Sequence, residues 1–502
     1  MKVILAGHNL DQTIISRFRE TLQGSECASD TGLESIDPDA LTPETLSAAY
    51  ARISRDPRPV PELRRDALGD VAAARQSNRR IVFGFGHASV AEHAVFNLDI
   101  LDISRLAMEA LELTRLGSYT EKSQRYILLE RDFIVPAEIA GTTLERDFRR
   151  LLAQQQDGYR RAYQALIDYY RRTQPSAWAS QSERRLLEGA AKEDARYFLG
   201  LSTTAQVGVT LNARILESTI RRLAADPLEE VRRLGAQMHG SVADTAPSLV
   251  RYTDATPHRR ETPAAMRASV DQLSGPGARQ TTGVDTGDRT VKLVSASPNG
   301  DDLLLTALIH QHSQLSWRES EAVLRRLDEG RRRCLVEESL RRMEVHETPP
   351  REFELPGFTF ELILSASCFA QLKRHRMASL LCQPYAPGLG VTIPDSFAQA
   401  GLLDSFDQLR KQSEEVFAKI LAVSPQAAAY ALTNAHRRRV VFHLNARELY
   451  HLSRLRLDEH AQWDIRSLAT EMIRQAQERM PLGMMLAAGK HDFDAMKARA
   501  VQ

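Results

Sequence analysis

The sequence predicts an α+β fold built twice in tandem, with helices dominating by length. Three observations predict it. Short apolar runs with alternating or β-branched patterning, such as VKLV and FTFELIL, lead into helical patterns. Long segments with apolar residues at helical spacing, LERDFRRLLAQQQDGYRRAYQALIDYYRR above all, outweigh those runs. Finally, short blocks in the first half recur in the same order in the second.

Taken in order, MKVILAGHNLDQ opens the chain with a short apolar run and no small-residue cleavage site, which reads as a first strand. Residues 144–172 read as a long amphipathic helix, and QSERRLLEGAAKEDARYFL reads likewise. Residues 253–290 are rich in Thr, Gly, Pro and Asp and read as a linker between a first domain, 1–252, and a second, 291–502. VKLVSASPNGDDLLLTALIHQ then starts over with a strand and a helix. FTFELILSASCFAQL is a strand running into a helix, and AQWDIRSLATEMIRQAQERM is a helix near the end. The matching blocks are GHASVAEHAVFNLDIL with VHETPPREFELPGFTFELIL, TRLGSYT with HRMASLL, and LNARILE with LNARELY. A period this long is a domain duplication, not a solenoid.

Composition narrows the function classes. A net charge of +1 calls for no nucleic-acid or membrane partner. No run of about 18 apolar residues predicts a membrane-spanning helix. The four cysteines form no CxxC pair, which indicates neither a zinc site nor a disulfide framework and fits a reducing compartment. A cytoplasmic protein is the expectation. His87, Glu92 and His93 have weak metal spacing, as does HQH at 310–312, so no metal site is expected. Cys382, in LLCQPY, has no neighbour that would activate its thiol.

Charge-bearing motifs remain. In QLKRHRMAS, Gln371 and Arg374 share a face if the segment is helical, while Arg374 and Arg376 diverge. Guanidinium groups suit phosphate, although such a triplet is also how a charged helix terminus reads. SYTEKSQRY places hydroxyls, Glu121, Arg125 and Tyr126 in a turn-like segment that is either a phosphate cradle or a polar surface loop. The tripeptide NAR occurs twice, at Asn212 and Asn445, each time after an apolar run.

Together these blocks resemble the flavin-dependent thymidylate synthases. That family's signature is RHR followed by S-x-R-Y. A GH-x-[ST]-x-x-EH block precedes it, and an acidic-Ala-Arg block, N-x-R and a final AQWEIR follow. Every block is present here, divided between two partial copies, over nearly the whole chain apart from linker and tails. AQWDIR and SYTEKSQRY are the most specific matches. The first copy has Leu113-Thr114-Arg115 in place of RHR but keeps Ser123, Arg125 and Tyr126, and Arg196 in EDARYFL. It has Leu223, next to Arg222, where the late arginine belongs. The second copy keeps Gln371, Arg374, His375, Arg376, Asn445, Arg447, His451, Arg456, His460 and AQWDIR. It has Ala429 at the Arg196 position, and HETPPREF keeps His346 and Thr348 without the Glu-His pair.

The resemblance implies two tandem domains of this type. It implies FAD, with NADPH and methylenetetrahydrofolate as co-substrates, converting dUMP to dTMP without a protein nucleophile. It implies dUMP contacts from Gln371, Arg374, Glu121, Ser123, Gln124, Arg125 and Arg196. Arg456 would lie near the uracil ring, where its charge favours N3 ionisation. FAD contacts would come from Ser89 (or Thr348), Arg374, His375, Arg376, Asn445, Arg447, His451 and His460. The family is a homotetramer whose sites draw RHR and S-x-R-Y from different subunits, so a tandem chain would form a homodimer with composite sites. The alternatives are a degenerate nucleotide- or flavin-binding paralogue without catalysis, and a flavoenzyme acting on a related pyrimidine nucleotide.

Overall fold

A computed structural model describes residues 1–24, 38–125, 127–129, 133–274 and 290–500. The chain divides into two compact units. The first comprises Met1–Ala153, Leu201–Arg279 and Val416–Tyr430. The second comprises Gln154–Gly200, Gln280–Glu415 and Ala431–Gln502. Each unit is therefore built mainly on one repeat and incorporates a segment of the other.

The first unit holds a four-stranded antiparallel sheet of β1 (Lys2–His8), β2 (Val95–Ser104), β3 (Ser118–Glu121) and β4 (Thr204–Asn212), in the order β1-β2-β4-β3. The second repeats it with β5 (Val291–Ala296), β6 (Gly357–Ser365), β7 (Ser379–Cys382) and β8 (Arg437–Asn445), in the order β5-β6-β8-β7. The registers correspond. Ser118 lies opposite Thr210, and Ser379 lies opposite His443. Thr210 and His443 each stand two residues before an NAR asparagine, so the sheet confirms the alignment of TRLGSYT with HRMASLL.

Strand patterning sets one covered face in each sheet. Phe96, Leu98 and Ile100 on β2 alternate inward with Val207, Val209 and Leu211 on β4. Leu216, Ile220, Leu234 and Met238, from the helices Ala213–Leu223 and Glu229–Val242, cover them. In the second unit Phe358, Phe360 and Leu362 on β6 meet Val440, Phe442 and Leu444 on β8. The helices Ala446–Arg456 and Trp463–Arg479 supply Leu449, Leu452, Leu468 and Met472 to the same core.

The predicted first strand and the long helix, Thr143–Thr173, are both present. Two readings change. Residues 253–290 include a helix, Pro257–Ser274, with no buried residue. Its Arg, Glu, Ala and Met content supports a helix that no apolar stripe docks onto a core. The remaining residues 275–289 lie outside those described. SYTE, read as turn-like, is strand β3, because Tyr119 packs against the core and the backbone pairs with β4. Among the described residues no helix is long and apolar enough to cross a membrane.

Candidate functional site

The second unit assembles ten of the residues singled out above: Arg196, Gln371, Arg374, His375, Arg376, Asn445, Arg447, His451, Arg456 and His460. The first unit holds Ser89, Glu121, Ser123, Gln124 and Arg125.

The RHR segment is placed by β6. Ser365 ends that strand and caps the helix Ala366–Leu372, its Oγ accepting from the Cys368 N–H at 3.0 Å. All seven helical residues are buried. The helix stops at Leu372, so Gln371 and Arg374 do not share a helical face, contrary to the expectation. The cause is His375, which is 2% exposed and draws the chain inward in a turn, its N–H donating to Leu372 O at 3.0 Å. Arg374 on one side of it is exposed and Arg376 on the other is half-buried.

His375 is held between opposite charges. Arg456 donates from Nε to His375 Nε2 at 3.1 Å and from Nη2 to the Gln371 carbonyl at 3.1 Å. Arginine can only donate, so His375 Nε2 carries the lone pair and Nδ1–H points to Glu448 Oε1, 3.2 Å away. Burial pulls the His375 pKa down; Glu448 opposes the shift and Arg456 adds to it. The ring is a neutral strut that orients Arg456. His451 meets it edge to face at a centroid distance of 5.8 Å. The ligand atoms of His375, Glu448 and His451 lie within 4.8 Å of one another, which is metal-like spacing. The Arg456 guanidinium, hydrogen-bonded to the same imidazole, opposes a cation there.

Arg196 reaches this unit through docking of EDARYFL against AQWDIR. Trp463 Nε1 donates to Asp194 Oδ1 at 2.9 Å, and Ser396 Oγ donates to Asp194 Oδ2 at 2.6 Å. Tyr197 stacks on Trp463 at 5.7 Å, and its hydroxyl donates to Asp464 Oδ2 at 2.9 Å. Asn434 Nδ2 donates to the Arg196 carbonyl at 3.0 Å. Arg196 is itself 5% exposed. Burial raises the Asp464 pKa and pushes the Cys368 thiol well up, with Arg456 and Arg196 both acting on Cys368 in the opposite sense. The two arginines therefore flank one buried neighbourhood, one from each repeat.

The NAR motifs are helix starts. Asn212 Oδ1 accepts from the Ile215 N–H at 2.9 Å, and Asn445 Oδ1 from the Glu448 N–H at 2.8 Å. Arg447 donates to Pro349 O at 2.7 Å, Thr348 Oγ1 at 3.0 Å and Glu354 Oε1 at 3.2 Å. Arg214 pairs in the same way with Glu92. Glu354 thus replaces the acid that HETPPREF was read as lacking. His451 and His460 are exposed.

In the first unit Ser123 Oγ accepts from the Arg125 N–H at 3.1 Å, a local turn directly after β3. Gln124 is buried, Glu121 and Arg125 are half-buried, and Ser89 is exposed. Tyr126 lies outside the described residues. Sequence reasoning missed Glu448, Gln462, Tyr197 and Asp464 as individual residues. The last three fall inside motifs it had noticed, and Glu448, three residues before His451, carried no such signal.

The family model for thymidylate synthase complementing protein matches residues 39–248 and again 292–482. A UPF0159 protein of Chlamydia pneumoniae is 25% identical over 439 residues, 82% of this chain and 80% of that protein. A flavin-dependent thymidylate synthase of Clostridium tetani is 28% identical over 214 residues, 42% of this chain and 82% of that protein. Among solved structures, a UMP/dUMP methylase from Streptomyces cacaoi bound with 5-Br dUMP has 19% identity and a TM-score of 0.34, covering 40% of this chain and 96% of that one. The family match spans most of both repeats, and the chain belongs to the thymidylate synthase complementing protein family.

Proposed function

We propose that the chain is a flavin-dependent thymidylate synthase, moving a one-carbon unit from methylenetetrahydrofolate to C5 of dUMP with NADPH as reductant. The observation that carries this reading is the burial of first-repeat Arg196 in the same unit as Gln371, Arg374, His375, Arg376 and Arg456. A decayed paralogue has no reason to keep the two halves of one signature interlocked. Membership of the family and the flavin-dependent relative support the same reading.

The donor set fits a dinucleotide cofactor. Arg374, His451 and His460 reach solvent, Arg376 is half-buried, and the exposed Thr348 is fixed by Arg447. Cationic and imidazole donors of this kind match a pyrophosphate. FAD held there supplies the hydride chemistry. Ser89 is the alternative contact from the early block. The remaining roles belong to side chains. Arg196 and Gln371 place the nucleotide. Arg456, oriented by His375, presents fixed positive charge to the pyrimidine ring. Asn445 and Arg447 brace the wall of the site.

No described cysteine is suited to attack C6. Cys368 is fully buried with its thiol pKa raised, while Cys334 and Cys382 stand outside this cluster. Ser123 and Arg125, flanked by Glu121 and Gln124, bind the dUMP phosphate of a site in a second copy of the chain, which makes the enzyme a homodimer.

Rescue of a thymidine auxotroph tests the activity, and flavin absorbance of the purified protein tests the cofactor. Arg125→Ala and Arg376→Ala should each abolish rescue. Mixing the two variants should restore about a quarter of wild-type turnover if the halves meet across a dimer. Intact turnover in both single variants would sink the composite site. Flavin binding without rescue would point to a related nucleotide.

A further inference from the structure

A buried chain of hydrogen bonds runs from Asp464 to Gln371, and its direction is fixed. As a carboxylate, Asp464 has no proton to give, so Ser365 Oγ and the Tyr197 hydroxyl both donate to Oδ2, at 2.5 and 2.9 Å. With its one proton committed, the Tyr197 oxygen can only accept. Gln462 Nε2 donates to it at 2.7 Å. That turns Gln462 Oε1 toward Gln371, whose Nε2 donates at 2.9 Å. Gln371 must therefore hold its own Oε1 away from Gln462. The residue is 8% exposed and adjoins Arg456, whose guanidinium grips its carbonyl.

The first unit shows which part of this chain the fold requires. There Ser104 Oγ and the Tyr430 hydroxyl donate to Glu230 Oε2 at 2.6 and 2.5 Å, repeating the Ser365–Asp464–Tyr197 arrangement. The positions matching Gln462 and Gln371 are Leu228 and Ala110. The carboxylate clamp is architectural; the two glutamines are an addition confined to the unit that holds RHR.

We propose that this relay fixes Gln371 Oε1 as an acceptor facing the nucleotide base, and that it selects a pyrimidine bearing N3–H, uracil, over cytosine. The inference rests on the nucleotide-site reading above. Uracil offers a proton at N3 where cytosine offers a lone pair, and a fixed carbonyl oxygen attracts one and repels the other. Asp464, Tyr197 and Gln462 are positioning residues acting through Gln371. The arrangement also requires N3 to keep its proton. Negative charge developing on the ring then falls on a carbonyl oxygen within reach of Arg456, in place of the N3 ionisation that the family resemblance implied.

The test is calorimetric titration of the full-length, FAD-supplemented protein with dUMP and with dCMP. Wild type should prefer dUMP by roughly 100-fold or more. Tyr197→Phe keeps the ring on Trp463 but cuts the relay, and the preference should fall below about tenfold. Asp464→Asn supplies an amide that can donate to Tyr197 and reverse every bond, so the preference should reach parity or invert. An unchanged preference in both variants overturns the proposal. Melting temperature gives a ligand-free readout. Gln371→Glu sets oxygen against Gln462 Oε1 and should lower Tm, and Asp464→Asn in the same chain should shrink that loss. Strictly additive Tm shifts also overturn the relay. If the coupling appears but wild type binds neither nucleotide, the uracil assignment and the nucleotide-site reading fall, while the relay's direction stands.

Discussion

The two units solve the same structural problem with different residues around it. In the second, Arg456 closes the gap between two helices by gripping the Gln371 carbonyl and His375. In the first, Arg222 does this from one position earlier. Its Nη1 donates to the Ala110 carbonyl at 2.7 Å and its Nη2 to Thr114 Oγ1 at 3.0 Å. Ala110 and Thr114 occupy the Gln371 and His375 positions, and Ile215 and Ser218 those of Glu448 and His451. An arginine bridge, an asparagine cap and a buried serine–carboxylate–tyrosine clamp recur in both units, and these are what the fold needs. The imidazole, its carboxylate and the paired glutamines occur in one unit only, and these are what the site needs.

The sharpest break between the units should come from their arginines. Arg456→Met should lower kcat/KM for dUMP by roughly 100- to 1,000-fold, the usual effect of removing a preorganised charge. Arg222→Met should leave kcat/KM within about twofold and instead cost about 1.5–3 kcal/mol of stability through its charged hydrogen bonds. Steady-state kinetics and denaturant titration separate the two outcomes. Equal kinetic losses would mean that the first unit also carries a working site.

A smaller effect is expected one residue further out. Glu448→Ile installs the first unit's residue and removes the partner of His375 Nδ1–H. Losing one such hydrogen bond, about 1.5 kcal/mol, corresponds to about a tenfold drop in kcat/KM. The reciprocal Ile215→Glu should add no activity, because Ala110 and Thr114 remain. A gain of turnover from Ile215→Glu alone would show that the first unit is closer to competence than its residues imply.

These contrasts mark what the sequence could disclose. RHR stood out because dense charge beside an apolar run is conspicuous, and NAR because it repeats. The sheet registers then align both motifs as their spacing implied. Glu448 gave no signal, since one acid on a helix becomes significant only when a turn from another segment brings His375 to it. The end of the helix at Leu372 was equally hidden, because burial of His375 decides it and no local breaker does. The docking of EDARYFL on AQWDIR joins residues 267 positions apart. Both motifs were legible, but their meeting depends on an exchange of segments between repeats that no local pattern records.

The two clamps offer a finer comparison. Tyr197→Phe and Tyr430→Phe each leave a buried carboxylate one donor short. Each should cost about 1–3 kcal/mol, measured by denaturant unfolding. The costs should be similar, because each carboxylate retains its serine, Ser365 or Ser104. A much larger cost at Tyr197 would mean that the glutamine relay also bears on stability.

The smallest effect is in the pH dependence of stability. Burial raises the pKa of Asp464 above its ordinary 3.8 and that of Glu230 above 4.5, against the opposing pull of their hydroxyl donors. Arg437 and Arg196 also act to lower the Asp464 value. Either folded unit therefore binds its proton more tightly than the unfolded chain does. The stability this contributes is full below the ordinary value and is lost as pH rises through the raised one. Melting temperature from these two groups should fall as pH climbs from about 4 toward neutrality. Asp464→Asn and Glu230→Gln should each flatten part of that slope. The Asp464 share should be the weaker if its two arginines offset burial, and a steeper slope from Asp464 would show that they do not reach the carboxylate.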